Sequence, residues 1–230
     1  MSERTKETPP RTRPMTPKDA ATLLLIRRDG AEPRVLMGQR SKGHVFMPHK
    51  WVFPGGRVDR WDGAMPAAHE LTEETAAKLQ HGGVKRPPRA LAMAAVRETF
   101  EETGLIIGKA GALHGSAPAA WKEYAAHHAA PDLSKFTFIF RAITPPIAPR
   151  RFDARFFLAY AEDVLLDDRP HLDSDELLSV KWFTFEEALA LDLPDVTAIV
   201  IKEAQKRVAG GAHAVPFFRF RAGAPARTVI

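Results

Sequence analysis

Arg97-Glu98-Thr99-Phe100-Glu101-Glu102-Thr103-Gly104 is the stretch that decides the reading of this 230-residue chain. If the segment is helical, Glu98 has Glu101 three residues ahead and Glu102 four ahead, so three carboxylates share one edge. Like charges at that spacing cost a few tenths of a kcal/mol per pair in an isolated helix. A divalent cation reverses the sign, because magnesium and manganese select hard oxygen ligands. Arg97 stands four residues before Glu101 and can brace the edge from the side. Glu-rich helix segments are usually solvated faces, and Glu73-Glu74 and Glu186-Glu187 read that way. The trio keeps different company: an apolar stripe on its own helix, a glycine stop, and a Phe53-Pro54-Gly55-Gly56 turn upstream.

Working outward, the carboxylate helix is predicted to open at Pro87-Pro88, run to Thr103 and stop at Gly104, with Met93, Val96 and Phe100 as its core stripe. Residues 65–80 (MPAAHELTEETAAKLQ) read as a second helix. Pro66 lies in its first turn, Met65, Ala68, Leu71, Thr75 and Leu79 share one face, and Gly82-Gly83 stop it. Residues 21–26 read as a buried strand, and an Asp29-Gly30 turn leads to a strand over 34–40. Trp51-Val52-Phe53 is a short strand halted by Pro54-Gly55-Gly56. Downstream come a helix near 117–129, strands at 135–143, 152–160 and 178–183, helices at 184–191 and 195–208, and an alternating run at 215–221. Residues 1 to about 18 are polar and proline-rich and read as a flexible tail. That leaves 19–230 as a single domain of α/β class (α+β type), a mixed sheet between helices.

Composition narrows the chemistry. At 45% hydrophobic and 27% charged residues the chain is an ordinary globular one. The absence of cysteine excludes disulfides, thiolate zinc sites and thiol nucleophiles, so any metal needs oxygen or imidazole ligands. The nine histidines show no paired ligand spacing. A net charge of +5 suits phosphate-bearing substrates or a solvated surface, and nucleic-acid binding is the less favoured reading. No apolar run approaches the roughly 18 residues a membrane span needs, and the N-terminal segment lacks the apolar core of a secretory signal. The expectation is a soluble, cytoplasmic protein without a membrane partner.

The same residues resemble the Nudix hydrolase superfamily. Its signature is a glycine, five residues, a glutamate, seven residues, then Arg-Glu-hydrophobic-x-Glu-Glu-x-Gly-hydrophobic. Gly56 matches the opening glycine, and Arg97, Glu98, Glu101, Glu102, Gly104 and Leu105 match the close. Thr99 stands at the first hydrophobic position. Five specified residues, at roughly 6% usage each, coincide about once in a million starting points. Between Gly56 and Arg97 lie 40 residues where the signature has 13, an insertion of 27 that holds the predicted helix near 65–80 (about 61–87 in all). Counting on from Gly56 reaches Asp62, and Glu70 is the other acid available to replace the signature's first glutamate. The insertion resembles the coenzyme A diphosphatases of the peroxisomal type and their bacterial relatives. So do the stretches 35–41, 46–59 and 144–157.

The resemblance implies a Nudix fold and hydrolysis of a diphosphate linkage in a nucleoside diphosphate joined to another moiety, with coenzyme A or acyl-coenzyme A among the candidates. It implies Mg2+ or Mn2+ as cofactor, with Glu98, Glu101 and Glu102 as metal ligands and catalytic carboxylates and Arg97 as the group that holds them. Glu98 is a further ligand or the group that deprotonates water. Arg40, Arg57, Gly55 and Gly56 are the expected substrate contacts, a solvated arginine being the plain alternative for the first two. Asp153 and Arg155 read first as a buried pair fixing the sheet. Glu176 reads first as part of a solvated loop, with a distal site carboxylate as the alternative. A non-catalytic nucleotide-binding or regulatory module on the same fold is the competing function. The expected partner is a nucleotide-containing small molecule. A homodimer is allowed for, since residues 215–220 could pack on a partner subunit as readily as on their own sheet.

Overall fold

Leu23, Leu24, Leu25 and Ile26 are all fully buried, which a strand achieves only when both faces of its sheet are covered. The computed structural model describes residues 15–43, 47–82, 86–111, 116–169, 172–211, 214–221 and 224–230. Its strands are β1 (Lys18–Arg27), β2 (Arg34–Arg40), β3 (Trp51–Val52), β4 (Gly55–Arg57), β5 (Lys109–Ala110), β6 (Ala129–Ala130), β7 (Thr137–Ile143), β8 (Phe152–Tyr160), β9 (Leu177–Thr184), β10 (Pro216–Arg221) and β11 (Ala224–Val229). Its helices are α1 (Glu73–Gln80), α2 (Pro88–Thr103), α3 (Lys122–Ala125), α4 (Ala161–Val164), α5 (Phe185–Ala190) and α6 (Asp195–Val208).

The main sheet is mixed and runs β11-β10-β7-β8-β1-β2-β3, with β4 added to β1 and β9 to β2. β1 lies parallel to β8 and β10 parallel to β7, and the other pairs are antiparallel. Period-two alternation along β1 sends Leu23 and Leu25 into a core shared with α2, while Leu24 and Ile26 enter the core under α6. The sheet is thus sandwiched between helices, as expected.

Among the described residues, no helix is long and apolar enough to cross a membrane.

Several boundaries differ from the sequence expectation, each for a tertiary reason. Residues 65–80 do not form one helix. Only α1 does, started by Thr72, whose side chain accepts the Thr75 N–H. Residues 65–72 are drawn out instead by the Ala68 N–H bond to the Pro131 carbonyl at 2.7 Å and a bridge between His69 and Asp132. β3 ends before Pro54, as expected, but Gly55-Gly56 is more than a stop. It starts β4, which pairs with residues 20–22 of β1. The helix expected near 117–129 is a single 3₁₀ turn, Ala119–Trp121, followed by α3. β1 begins at Lys18, inside the expected tail, because it pairs with Phe152. The rest of that tail, 1–14, lies outside the described residues, as do Gly83 of the expected stop and His44 of the loop before Trp51. The run at 215–221 packs on its own sheet, with Val215 and Phe217 buried, and β11 extends it as a hairpin.

Candidate active site

α2 is buried almost all round, because the sheet covers one side and the insertion the other. Pro88 occupies its first turn, and Gly104, at φ 71°, ends it in the left-handed conformation that glycine adopts without a Cβ penalty. Thr99 fits a fully buried position because its hydroxyl donates to the Ala95 carbonyl at 2.7 Å. This rigid helix carries Arg97, Glu98, Glu101 and Glu102 to the edge where β4 joins β1.

Arg97 is 6% exposed and holds the centre together. Its Nε donates to Asp62 Oδ1 at 2.8 Å, Nη2 to Asp62 Oδ2 at 3.2 Å and to the Arg57 carbonyl at 2.9 Å, and Nη1 to Glu101 Oε2 at 2.8 Å. Glu98 Oε1 lies 2.9 Å from Nη2. Burial alone would lower this guanidinium, but Asp62, Glu98 and Glu101 outweigh it and hold it above its ordinary range.

Asp62 decides the question that the spacing left open. It is fully buried and accepts from Arg97, from the Trp121 indole N–H at 3.1 Å and from the Asp59 N–H at 2.7 Å. Glu70 instead pairs with Arg89 at 2.8 Å on the surface. The insertion therefore follows Asp62. Between Asp62 and Arg97 there are 34 residues where the signature has seven, which accounts for all 27 extra. The signal available beforehand was an acid six residues after Gly56; nothing in the sequence tied it to Arg97 or to Trp121.

The glycines serve close approach. A Cβ on Gly56 would overlap the Glu98 carboxyl, and one on Gly55 would meet Ala21 O at 2.5 Å. The Gly55 N–H donates to Glu102 Oε2 at 2.8 Å. Gly55→Ala is accordingly expected to destabilise the protein by about 1–3 kcal/mol, because the atoms its Cβ would meet are backbone atoms of Ala21 and Thr22 that cannot swing aside. Urea unfolding of the two proteins checks this, and equal midpoints would remove the close-approach reading.

The carboxylates crowd one another. Burial pushes Glu98 up to about 7, with Glu101 and Glu176 adding to it against the pull of Arg97. Burial also raises Glu101, and it raises Glu102 well above the carboxylate range, where Glu98 adds and the Gly55 N–H opposes. Glu176, in the loop before β9, acts on all three, and its carbonyl accepts the Ser41 N–H at 3.1 Å. Burial lowers Arg40, offset by Glu102 and Glu176, so the end of β2 belongs to this centre. Arg57 is exposed beside it. Asp153 and Arg155 lie apart from this group, in a buried network with Asp19 and Arg141.

A linkage effect follows. The folded protein holds a proton on Glu98 more tightly than the unfolded chain does, so the associated stability is full below about 4.5 and lost as pH rises through about 7. Without added divalent cation, wild type should lose about 2–3 kcal/mol relative to Glu98→Gln between pH 5 and pH 8. Parallel stability curves for the two proteins would rule this out.

Among the described residues, no group of three or more His, Asp or Glu is gathered in metal-holding geometry. Arg97 holds Glu98 and Glu101, and Gly55 holds Glu102. The donor set nevertheless has the chemistry of a hard-cation site: crowded carboxylates with raised proton affinity, against two glycines.

A family model described as NUDIX domain matches residues 81–203. A Caenorhabditis elegans protein carrying the name nudix hydrolase 7 is 29% identical over 194 residues, covering 75% of this chain and 53% of that protein. The chain thus spans about half that relative's length. A NUDIX hydrolase crystal structure from Alicyclobacillus acidocaldarius superimposes with a TM-score of 0.62 at 29% identity, covering 81% of this chain and 90% of that one.

Proposed function

Because this chain belongs to the NUDIX domain family, we propose that it is a metal-dependent hydrolase of a diphosphate linkage in a nucleoside diphosphate joined to a second group. The observation that carries the proposal is the α2 carboxylate trio, braced by a buried Arg97 that Asp62 anchors from the base of the insertion. Residues 19–230 are taken as one domain for this function.

Glu101 and Glu102, with the Gly56 carbonyl, would hold Mg2+ or Mn2+, and Glu98 is a further ligand or the proton acceptor. A cation held there would neutralise charge on the diphosphate, which otherwise repels an incoming hydroxide. The chain's own residues do the rest. Arg97 fixes the rotamers of Glu98 and Glu101, and Gly55 fixes Glu102. Glu98, poised near neutrality, is suited to take the proton of the attacking water. Arg40 and Arg57 flank the carboxylates and can pair with phosphate oxygens in forked fashion. Water adds to one phosphorus, the bridging oxygen leaves on the other phosphate, and two phosphomonoesters result.

The insertion and the stretches flanking the site favour coenzyme A or acyl-coenzyme A as substrate. A product-resolved screen with magnesium, then manganese, tests this on coenzyme A, acyl-coenzyme A, ADP-ribose, dinucleoside polyphosphates, NADH and nucleoside triphosphates. Release of 3′,5′-ADP and a phosphopantetheine is the expected result. Preference for another member keeps the hydrolase and discards coenzyme A. Nucleotide binding with no turnover under either metal would overturn the hydrolase in favour of a binding module.

A further inference from the structure

The loop after Gly56 presents an aromatic ring that stays about half exposed. Trp121 is fully buried against Asp62, Trp51 packs edge-on to Phe183 at 5.1 Å, and Trp182 lies under Arg27 at 4.5 Å. Trp61 remains 47% exposed, although the residue after it is fully buried.

The exposure does not come from a slack loop. The Trp61 N–H donates to Asp59 Oδ1 at 2.8 Å, its carbonyl accepts from Ala64 at 2.9 Å, and the Asp59 N–H is held by Asp62 at 2.7 Å. Arg97 clamps the Arg57 carbonyl at the other end of the loop. A segment tied at that many points holds the indole outward, one residue from the Asp62–Arg97 pair that organises the carboxylates. Arg60 lies over the ring at 4.9 Å, and Arg57 and Arg60 are both exposed. An exposed ring with the Arg60 guanidinium against it, one residue from the pair that organises a diphosphate-cleaving centre, matches a base linked to phosphates in both shape and charge.

We propose that Trp61 is the stacking platform for the nucleobase of the substrate, with Arg60 held at the ring and turned to the phosphates. This rests on the hydrolase reading above and narrows it to substrates whose base stacks outside the carboxylate cluster.

The test compares wild type, Trp61→Ala and Trp61→Phe by calorimetric titration with ADP and with pyrophosphate, both with magnesium. Trp61→Ala should weaken ADP about tenfold and leave pyrophosphate unchanged, while Trp61→Phe keeps most of the affinity. Acrylamide quenching of wild-type tryptophan fluorescence should fall with ADP but not with pyrophosphate. Unchanged ADP affinity, equal losses for both ligands, or a wild type that binds ADP no better than pyrophosphate would each overturn the platform. Failure of the two readings is separable. Turnover with a KM that Trp61→Ala leaves unchanged sinks the platform alone. Base-dependent binding without turnover of any compound sinks the hydrolase alone.

Discussion

Glu102→Gln is expected to lower kcat by roughly a thousandfold, about 4 kcal/mol of transition-state stabilisation, with Glu101→Gln close behind. Both side chains should matter through charge rather than shape. A glutamine at 102 can still accept the Gly55 N–H that holds the present side chain at 2.8 Å. It also replaces a carboxyl whose ionised form burial and Glu98 disfavour, since Glu102 is 7% exposed. The variant should therefore unfold no more easily than wild type when divalent cation is absent. It should lose the rise in Tm that magnesium gives wild type, because a cation that binds the folded state stabilises it by mass action. Wild-type turnover in either variant would end the proposed mechanism. An unfolded Glu102→Gln would show that the carboxylate serves the fold instead.

Asp62→Ala should cause the largest loss of stability, about 3–5 kcal/mol, because it leaves the Arg97 guanidinium buried beside a missing partner. It also strands the Trp121 indole N–H and the Asp59 N–H. For a chain of this length that corresponds to a fall in Tm of roughly 10 °C. Asp62→Asn keeps an oxygen for the neutral donors but loses the charge, so its cost should lie between wild type and alanine. Both variants should lose turnover beyond what their stability explains, since Arg97 also sets the rotamers of Glu98 and Glu101. Asp62→Ala unfolding within about 1 kcal/mol of wild type would show that Arg97 finds another anchor.

What the chain determined locally was legible in it. The three-and-four spacing put Glu98, Glu101 and Glu102 on one edge, and Pro88 and Gly104 marked the ends of α2, because a ring-locked φ starts a helix and a glycine in the left-handed region stops one. β2 and β8 stand where strands were read at 34–40 and 152–160, and α5 lies within the helix read at 184–191. Residues 65–72 misled for the opposite reason. Their apolar periodicity suits a helix, but backbone bonds from Ala68 to Pro131 and from Leu133 to His69 hold that stretch extended, and their partners lie more than sixty residues away. β4 and β11 were hidden likewise, since a three-residue strand and a Pro-Ala-Arg-Thr run become strands only when a neighbour supplies the ladder. The same holds at the site. Sequence alone determined the carboxylates and the arginine beside them. Only the tertiary structure decided that Asp62, 35 positions earlier, anchors that arginine, because a buried guanidinium takes whichever carboxylate the fold brings within hydrogen-bonding distance.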